Sequence, residues 1–377
     1  MANPLHSLVS RRHHPRVSRR RWSARLLEDL FGGAYAEVYE PDLAPGHVRL
    51  RGKKLAEEIR RTVTHLAKGI GERNCYHPEQ LEAAAQWIEA EFHRMGYATR
   101  RQPVFVPAGK PFDCGPQTVW NIEAVKKGTS RAEEIVVLGA HYDSRVGMPG
   151  WHDSYSPLKD KLGTPGANDN GSGIATLLAL ARMLHDQPTE RTLHFVAFVN
   201  EEPPFFQSEA MGSLVYAREL AADPRRKIIG MLCPETLGNY TLGPQNKRVP
   251  FSTLLGLSRA ADYVCFLSDS RSRPFVRECA AVFQKHSRVT LRRMAFPQPV
   301  RRIGWSDDWA FWQQGIPAFS ITDTAFLRSN DYHELSDTPE KLDYATMSEV
   351  VWALHYVLTA LANPSTGEEN YSAGVAR

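Results

Sequence analysis

The stretch RTLHFVAFVNEE, residues 191–202, decides the fold. Leu193, Phe195, Ala197 and Val199 alternate with His194, Val196 and Phe198 in a mostly apolar run of strand length. Its β-branched and aromatic residues make it read as a buried strand. The run stops on Asn200 and two adjacent carboxylates, Glu201 and Glu202, followed by Pro203 and Pro204, which cannot continue a ladder. Two acids at the mouth of a buried strand are costly to desolvate unless a cation or a proton compensates. A solvated strand end is the plain alternative, and the rest of the chain has to choose between them.

Outward from this strand the same logic recurs. EIVVLGA (134–140) is a second buried strand and delivers His141-Tyr142-Asp143-Ser144 at its carboxyl end. KIIGMLC (227–233) is a third, ending at Pro234-Glu235, and residues 316–322 are a fourth. Between and around them, helical spacing of apolar residues predicts helices over 52–68, 78–95, 174–184, 211–220, 274–286 and 346–361. Residues 46–51 read as a short strand or entry loop, and 98–106 and 117–125 as further strands. The arginines beyond His286 read as a solvated face. Short buried strands alternating with helices indicate an α/β domain with a mixed, largely parallel central sheet flanked by helices. No repeat or low-complexity linker divides residues 46–363, so one domain is expected there.

Composition sets the bounds. Charged residues are 23% of the chain, as in an ordinary globular protein, and no stretch approaches the apolar length of a transmembrane helix. The net charge of +4 comes from one end: residues 1–27 hold seven arginines and no acid, so the remainder is net acidic. That end has no apolar h-region and reads as part of a disordered extension, 1–45, with no function assigned; 364–377 is a polar tail. With no export signal visible, the cytoplasm is the expected location. The five cysteines are odd in number with no CxxC spacing, which argues for reduced, mostly buried thiols.

In an open α/β sheet, ligand sites form beyond the carboxyl ends of the strands. Three strands end here in metal-competent residues: His141, Glu201-Glu202 and Glu235. Two loops add Asp169, in the Gly-rich run 166–173, and His333, in Asp331-Tyr332-His333. Oxygen ligands with two imidazoles and no thiolate suit zinc, with manganese or cobalt as alternatives. The run 168–173 lacks the Lys-Ser/Thr of a phosphate loop, which argues against nucleotide, and no nucleic-acid partner is expected. His152-Asp153 reads as a surface loop or a cap over the site. Trp305, Trp309, Phe311 and Trp312 read as core or as a pocket wall. His185 and His194 read as a helix-end cation and a strand residue.

Six blocks carry a resemblance: GAHYDS (139–144), GANDNGSG (166–173), FVNEEPPFF (198–206), PETLG (234–238), SDDWAFWQQGIP (306–317) and YHELSDTPEKLDY (332–344). In this order they resemble the co-catalytic zinc aminopeptidases, peptidase family 28 of the metallopeptidases, over roughly residues 46–363. The resemblance implies a zinc-exopeptidase fold, two zinc ions and peptide substrates. It makes His141 and Glu235 ligands of one ion, Glu202 and His333 of the other, and Asp169 the bridge. Glu201 would then be the general base and Tyr332 a hydrogen-bond donor to the oxyanion. Asp143, two residues past His141, would orient an imidazole, and Asp307 would stand behind the ligands. Two departures are visible: Glu235 where the family often has Asp, and Asp308 where many members have His. Paired metals lower the pKa of a water and polarise a carbonyl, which suits peptide hydrolysis.

Two rivals remain. A glutaminyl-peptide cyclotransferase of the same fold would use one zinc and would not need the His141–Glu235 pair. A catalytically inactive binding module would lack ligands, whereas every expected position here is filled. Neither the preferred N-terminal residue nor the oligomeric state is legible.

Overall fold

The apolar run of residues 191–198 lies near the middle of a nine-stranded sheet. The structure is a computed structural model and describes residues 35–39, 50–146, 163–240, 262–297 and 306–364. The first half of the chain contains β1 (Tyr35–Tyr39), α1 (Leu50–Thr64), α2 (Pro78–Arg94), β2 (Thr99–Val106), β3 (Gln117–Lys126), β4 (Arg131–His141), α3 (Ser172–Leu184) and β5 (Arg191–Phe198). The second half adds α4 (Gly212–Ala222), β6 (Lys227–Glu235), β7 (Tyr263–Asp269), α5 (Arg273–His286), β8 (Thr290–Phe296), α6 (Asp308–Trp312), β9 (Ala318–Thr322), α7 (Ala325–Arg328) and α8 (Tyr344–Ala362).

The strand order is β1-β8-β7-β9-β6-β4-β5-β3-β2. The central four, β9, β6, β4 and β5, are mutually parallel, as expected from their continuous apolar sequences. Antiparallel pairings flank them, β3 on β5 and β7 on β9.

Side chains of the central strands divide by the two-residue period. Val136, Leu138 and Ala140 of β4, with Phe195 and Ala197 of β5, enter the larger core beneath α1, α3, α5 and α8. Ile135 and Val137, with Val196 and Phe198, enter a second core beneath α4 and α6. Each buried phenylalanine contributes about 2–3 kcal/mol. With both faces covered, no polar alternation is needed in these strands.

The connections place the site. From β4 the chain crosses through α3 to β5 on one side, then through α4, on the opposite face, to β6 on the other side of β4. That reversal opens a crevice beyond the carboxyl end of β4, where His141 is the last strand residue.

Several expectations are corrected. Residues 35–39, within the stretch expected to be an extension, form an edge strand antiparallel to β8; the rest of 1–45 outside that strand, and the tail after 364, lie outside the described residues. Leu50 and Arg51 already belong to α1. Arg292 and Arg293 do not lie on a solvated face: both are buried in β8, with the Arg292 guanidinium 4.2 Å from the centre of the Tyr263 ring. Burial pushes Arg293 down to about 10. α8 is long and apolar enough by length and composition to cross a membrane, with mean hydropathy 1.2, but Val350, Leu354, Val357 and Leu361 pack into the larger core.

Candidate metal centre

Five chain segments bring their polar residues to the crevice. His141 ends β4, Glu235 ends β6, and Glu201 and Glu202 follow β5. Asp169 lies in the kinked turn 167–171 before α3, and His333 in the loop after α7. The turn begins at Gly166 (φ +61°), where a Cβ would come within 2.5 Å of the Asp169 carbonyl oxygen. Three non-glycine residues with positive φ, Asn200, Thr236 and His333, belong to the centre or adjoin one of its carboxylates. Such backbone costs about 1–3 kcal/mol each and persists where the surroundings enforce it.

The side chains form two donor groups that share one carboxylate: His141, Asp169 and Glu235, and Asp169, Glu202 and His333. Asp169 Oδ1 is 3.3 Å from His141 Nε2, and its Oδ2 is 3.1 Å from His333 Nε2. Glu235 Oε2 lies 3.2 Å from His141 Nε2, and Glu202 Oε2 3.4 Å from His333 Nε2. Glu201 is in neither group, although its Oε2 is 3.8 Å from His141 Nε2.

Surrounding groups fix these positions. The Asp143 carboxylate accepts the backbone N–H groups of Glu201 and Glu202, each at 3.1 Å. Its contact with the His141 imidazole is weaker: Nδ1 is 3.1 Å from the Asp143 carbonyl oxygen and 3.5 Å from Oδ1. Asp143 therefore holds the Glu201-Glu202 backbone as well as the ring. Asp307 is fully buried, yet Ser306 makes the hydrogen bond to a candidate ligand, donating to Glu235 Oε2 at 2.8 Å. Asn170 Nδ2 donates to the same oxygen at 3.1 Å. Tyr332 stacks on the His333 ring at 3.8 Å, within electrostatic reach of Asp169 and Glu202.

Three further residues, Asp337, Asp323 and Arg73, hold the turn without having stood out as candidates in the sequence. Asp337 accepts the N–H groups of Asn168 and Asp169 and holds the kinked turn. Asn168 in turn donates to Asp323, beyond β9. Arg73, fully buried, donates to the carbonyls of Tyr142, Pro165 and Gly166 at 2.6, 2.7 and 2.9 Å, joining the β4 loop to that turn. His152-Asp153 and Trp305 lie outside the described residues. Phe311 and Trp312 are core, and Trp309 tilts against Phe206 at 6.2 Å. His185 follows the end of α3, and His194 is a β5 residue beside Glu123, as expected. A cavity of about 400 Å³ lies at the far, amino-terminal ends of β4 and β5, lined by Glu123, His194 and Glu219.

The electrostatics are those of an anion cluster. Burial, with Glu202, Glu235 and Asp307 nearby, holds Glu201 well above the usual carboxylate range. Burial pushes Glu202 and Asp307 each up to about 8. For His141 burial alone would lower the pKa; the charges of Glu235 and Glu201 outweigh it and raise the ring. For Asp169 burial alone would raise it, but the neighbouring His141 and His333 rings prevail and lower it. Divalent cations fit this arrangement. His141 Nε2 and Glu202 Oε1 are buried without a hydrogen-bond partner, and cations at the two groups would satisfy them while discharging the carboxylates.

The family profile described as Peptidase family M28 matches residues 121–358, which include all five candidate ligands. The chain belongs to peptidase family M28. Family M28 membership bears out the expectation of a metal-dependent exopeptidase and the resemblance that led to it. Among relatives, the Escherichia coli K12 protein YfbL is 31% identical over 301 residues, 78% of this chain and 85% of its own length. The chain spans only 38–40% of the length of three fungal probable zinc metalloproteases it also matches. In structure it resembles BSAP, a zinc aminopeptidase from Bacillus subtilis, with TM-score 0.61, 15% identity, and 82% and 95% of the two chains covered. It also resembles the glutaminyl cyclase of Tannerella forsythia, with TM-score 0.58, 19% identity, and 82% and 98% covered. At these identities the likeness is one of fold, and M28 enzymes and cyclases share it.

Proposed function

We propose that the chain is a dinuclear zinc aminopeptidase that removes N-terminal residues from peptides. The observation that carries this reading is the shared carboxylate: Asp169 turns one oxygen to His141 and the other to His333. His141 and Glu235 would hold one ion, Glu202 and His333 the other. Bound zinc supplies a lowered pKa for the attacking water and polarisation of the scissile carbonyl. The remaining work falls to side chains. Glu201, free of both donor groups, takes the proton of the attacking water and returns it to the leaving amine. Tyr332 donates a hydrogen bond to the developing oxyanion. Surplus carboxylate around the centre receives the free α-ammonium group of the substrate.

The complete His141–Asp169–Glu235 group favours two ions over the single zinc expected of a cyclotransferase. The deciding experiment measures zinc per chain and hydrolysis of an aminoacyl-anilide panel, beside cyclisation of glutamine-leading peptides. Wild type is expected to bind two ions and hydrolyse the anilides, with activity lost to chelator. Glu201→Gln should lower kcat on the order of 10²–10⁴-fold with zinc retained. One zinc per chain with cyclisation only would overturn the proposal, as would anilide hydrolysis that survives both treatments.

A further inference from the structure

Two thiols meet beside the loop that carries Glu201. Cys75, in the turn before α2, is 2% exposed, while Cys114, between β2 and β3, is half-buried. Gln117 Nε2 donates to both cysteine carbonyls, at 2.9 Å for Cys75 and 2.5 Å for Cys114, which sets the two backbones side by side. The thiols hydrogen-bond to each other, and the side chains of Gln117 and Tyr76 also reach the Cys114 sulfur. The Cys75 contact is the main influence lowering the Cys114 thiol, and the same contact, with burial, raises Cys75. Cys114 is the sulfur that an outside disulfide can reach, and a buried partner lies against it. The other three cysteines, Cys233, Cys265 and Cys279, are almost wholly buried.

The pair also touches the residues that present Glu201. Cys75 Sγ is 3.0 Å from Oδ1 of Asn200, whose positive φ turns the chain into Glu201. Phe112, two residues before Cys114, stacks on Phe205 with ring centres 5.0 Å apart.

We propose that Cys75 and Cys114 are an oxidisable thiol pair that low-molecular-weight disulfides convert to an intramolecular disulfide, withdrawing the Cys75 thiol from Asn200. The Cys114 thiolate attacks one sulfur of the small disulfide, forming a mixed disulfide and expelling a thiolate. Cys75 then gives up its proton to that thiolate and attacks the Cys114 sulfur, releasing the second small thiol. Two protein thiols are oxidised by two electrons, and one small disulfide is reduced to two thiols. The inference stands on the thiol geometry and is independent of the peptidase reading.

The test incubates the reduced full-length protein, freed of reductant, with oxidised glutathione and reads intact mass and non-reducing peptide maps. Wild type is expected to lose the mass of two hydrogens and to yield a peptide pair joined through Cys75 and Cys114. Cys75→Ser should stop with one glutathione on Cys114, and Cys114→Ser should gain none at Cys75. Glutathione retained on Cys114 in wild type, or no reaction at Cys114 in the folded chain, would overturn the pairing. Hydrogen exchange at residues 199–202 should rise on oxidation; unchanged exchange there would overturn the link to Asn200. Wild-type mapping requires no variant, so a substitution that fails to fold leaves the test intact.

Discussion

Asp143 holds the backbone N–H groups of both Glu201 and Glu202, so the placement of the proposed base and of a candidate ligand depends on one carboxylate. Asp143→Ala would leave two buried N–H groups without acceptors, at a cost of about 2–5 kcal/mol. Displacing Glu201 by an ångström should lower kcat on the order of 10²-fold. Denaturant melts and steady-state kinetics check both, with Asp143→Asn expected to lie between; a variant with wild-type turnover would remove Asp143 from this role. A second carboxylate makes a separate pH prediction. Glu123 Oε1 accepts from Tyr216 at 2.6 Å and lies 2.9 Å from His194 Nδ1, and Arg100 donates to Oε2 at 2.6 Å. Burial, the largest influence, would raise its pKa, but the hydrogen bond and charge of His194, then Tyr216 and Arg100, bring it down to about 2 from 4.5. The folded value is depressed, so this stability is present above pH 4.5 and is lost as pH falls toward 2. It amounts to about 3 kcal/mol. The stability gap between wild type and Glu123→Gln should therefore close over that acid window, and a gap independent of pH would contradict the network. At this scale the sequence exposed the five candidate ligands because they end apolar strands or sit in Gly-rich and polar loops. It did not expose Arg73 or Asp337, whose partners are mostly backbone groups distant along the chain.

Elements were legible in proportion to their burial. β4, β5, β6 and β9 are covered on both faces, so their apolar runs stand out against charged surroundings. The edge behaved otherwise. β8 contains Arg292 and Arg293 inside TLRRMAF, and its stability comes from neighbours no local pattern reveals, such as the Tyr263 ring. β1 pairs with β8 in antiparallel register, Tyr35 opposite Ala295 and Tyr39 opposite Leu291. Packing between elements is tight at Gly139 of β4, where an added Cβ would come within 2.3 Å of the Phe198 ring. Gly139→Ala should therefore destabilise by about 1–3 kcal/mol through overpacking. Because His141 is two residues along the same strand, zinc affinity should fall with it. A chemical melt and a zinc titration test this, and an unperturbed melt would show that the ring moves aside freely.

For the whole molecule, fold class followed from alternation of strand and helix, while the position of the site followed from the reversal of direction around β4. A centre that gathers buried carboxylates and imidazoles from five segments should couple metal binding to global stability. At a free zinc concentration about a hundredfold above Kd, binding adds about 3 kcal/mol for each site filled. Chelation should therefore lower Tm by several degrees and zinc restore it; scanning calorimetry showing identical melts would argue against structural involvement of the ions.

The two halves of the centre lean on a single side chain. Asp169 is held from one side by His141 and from the other by His333, so neither imidazole can be removed without freeing the carboxylate that the opposite half relies on. Damage at either end should be shared by both, so that losses from the two halves do not simply add.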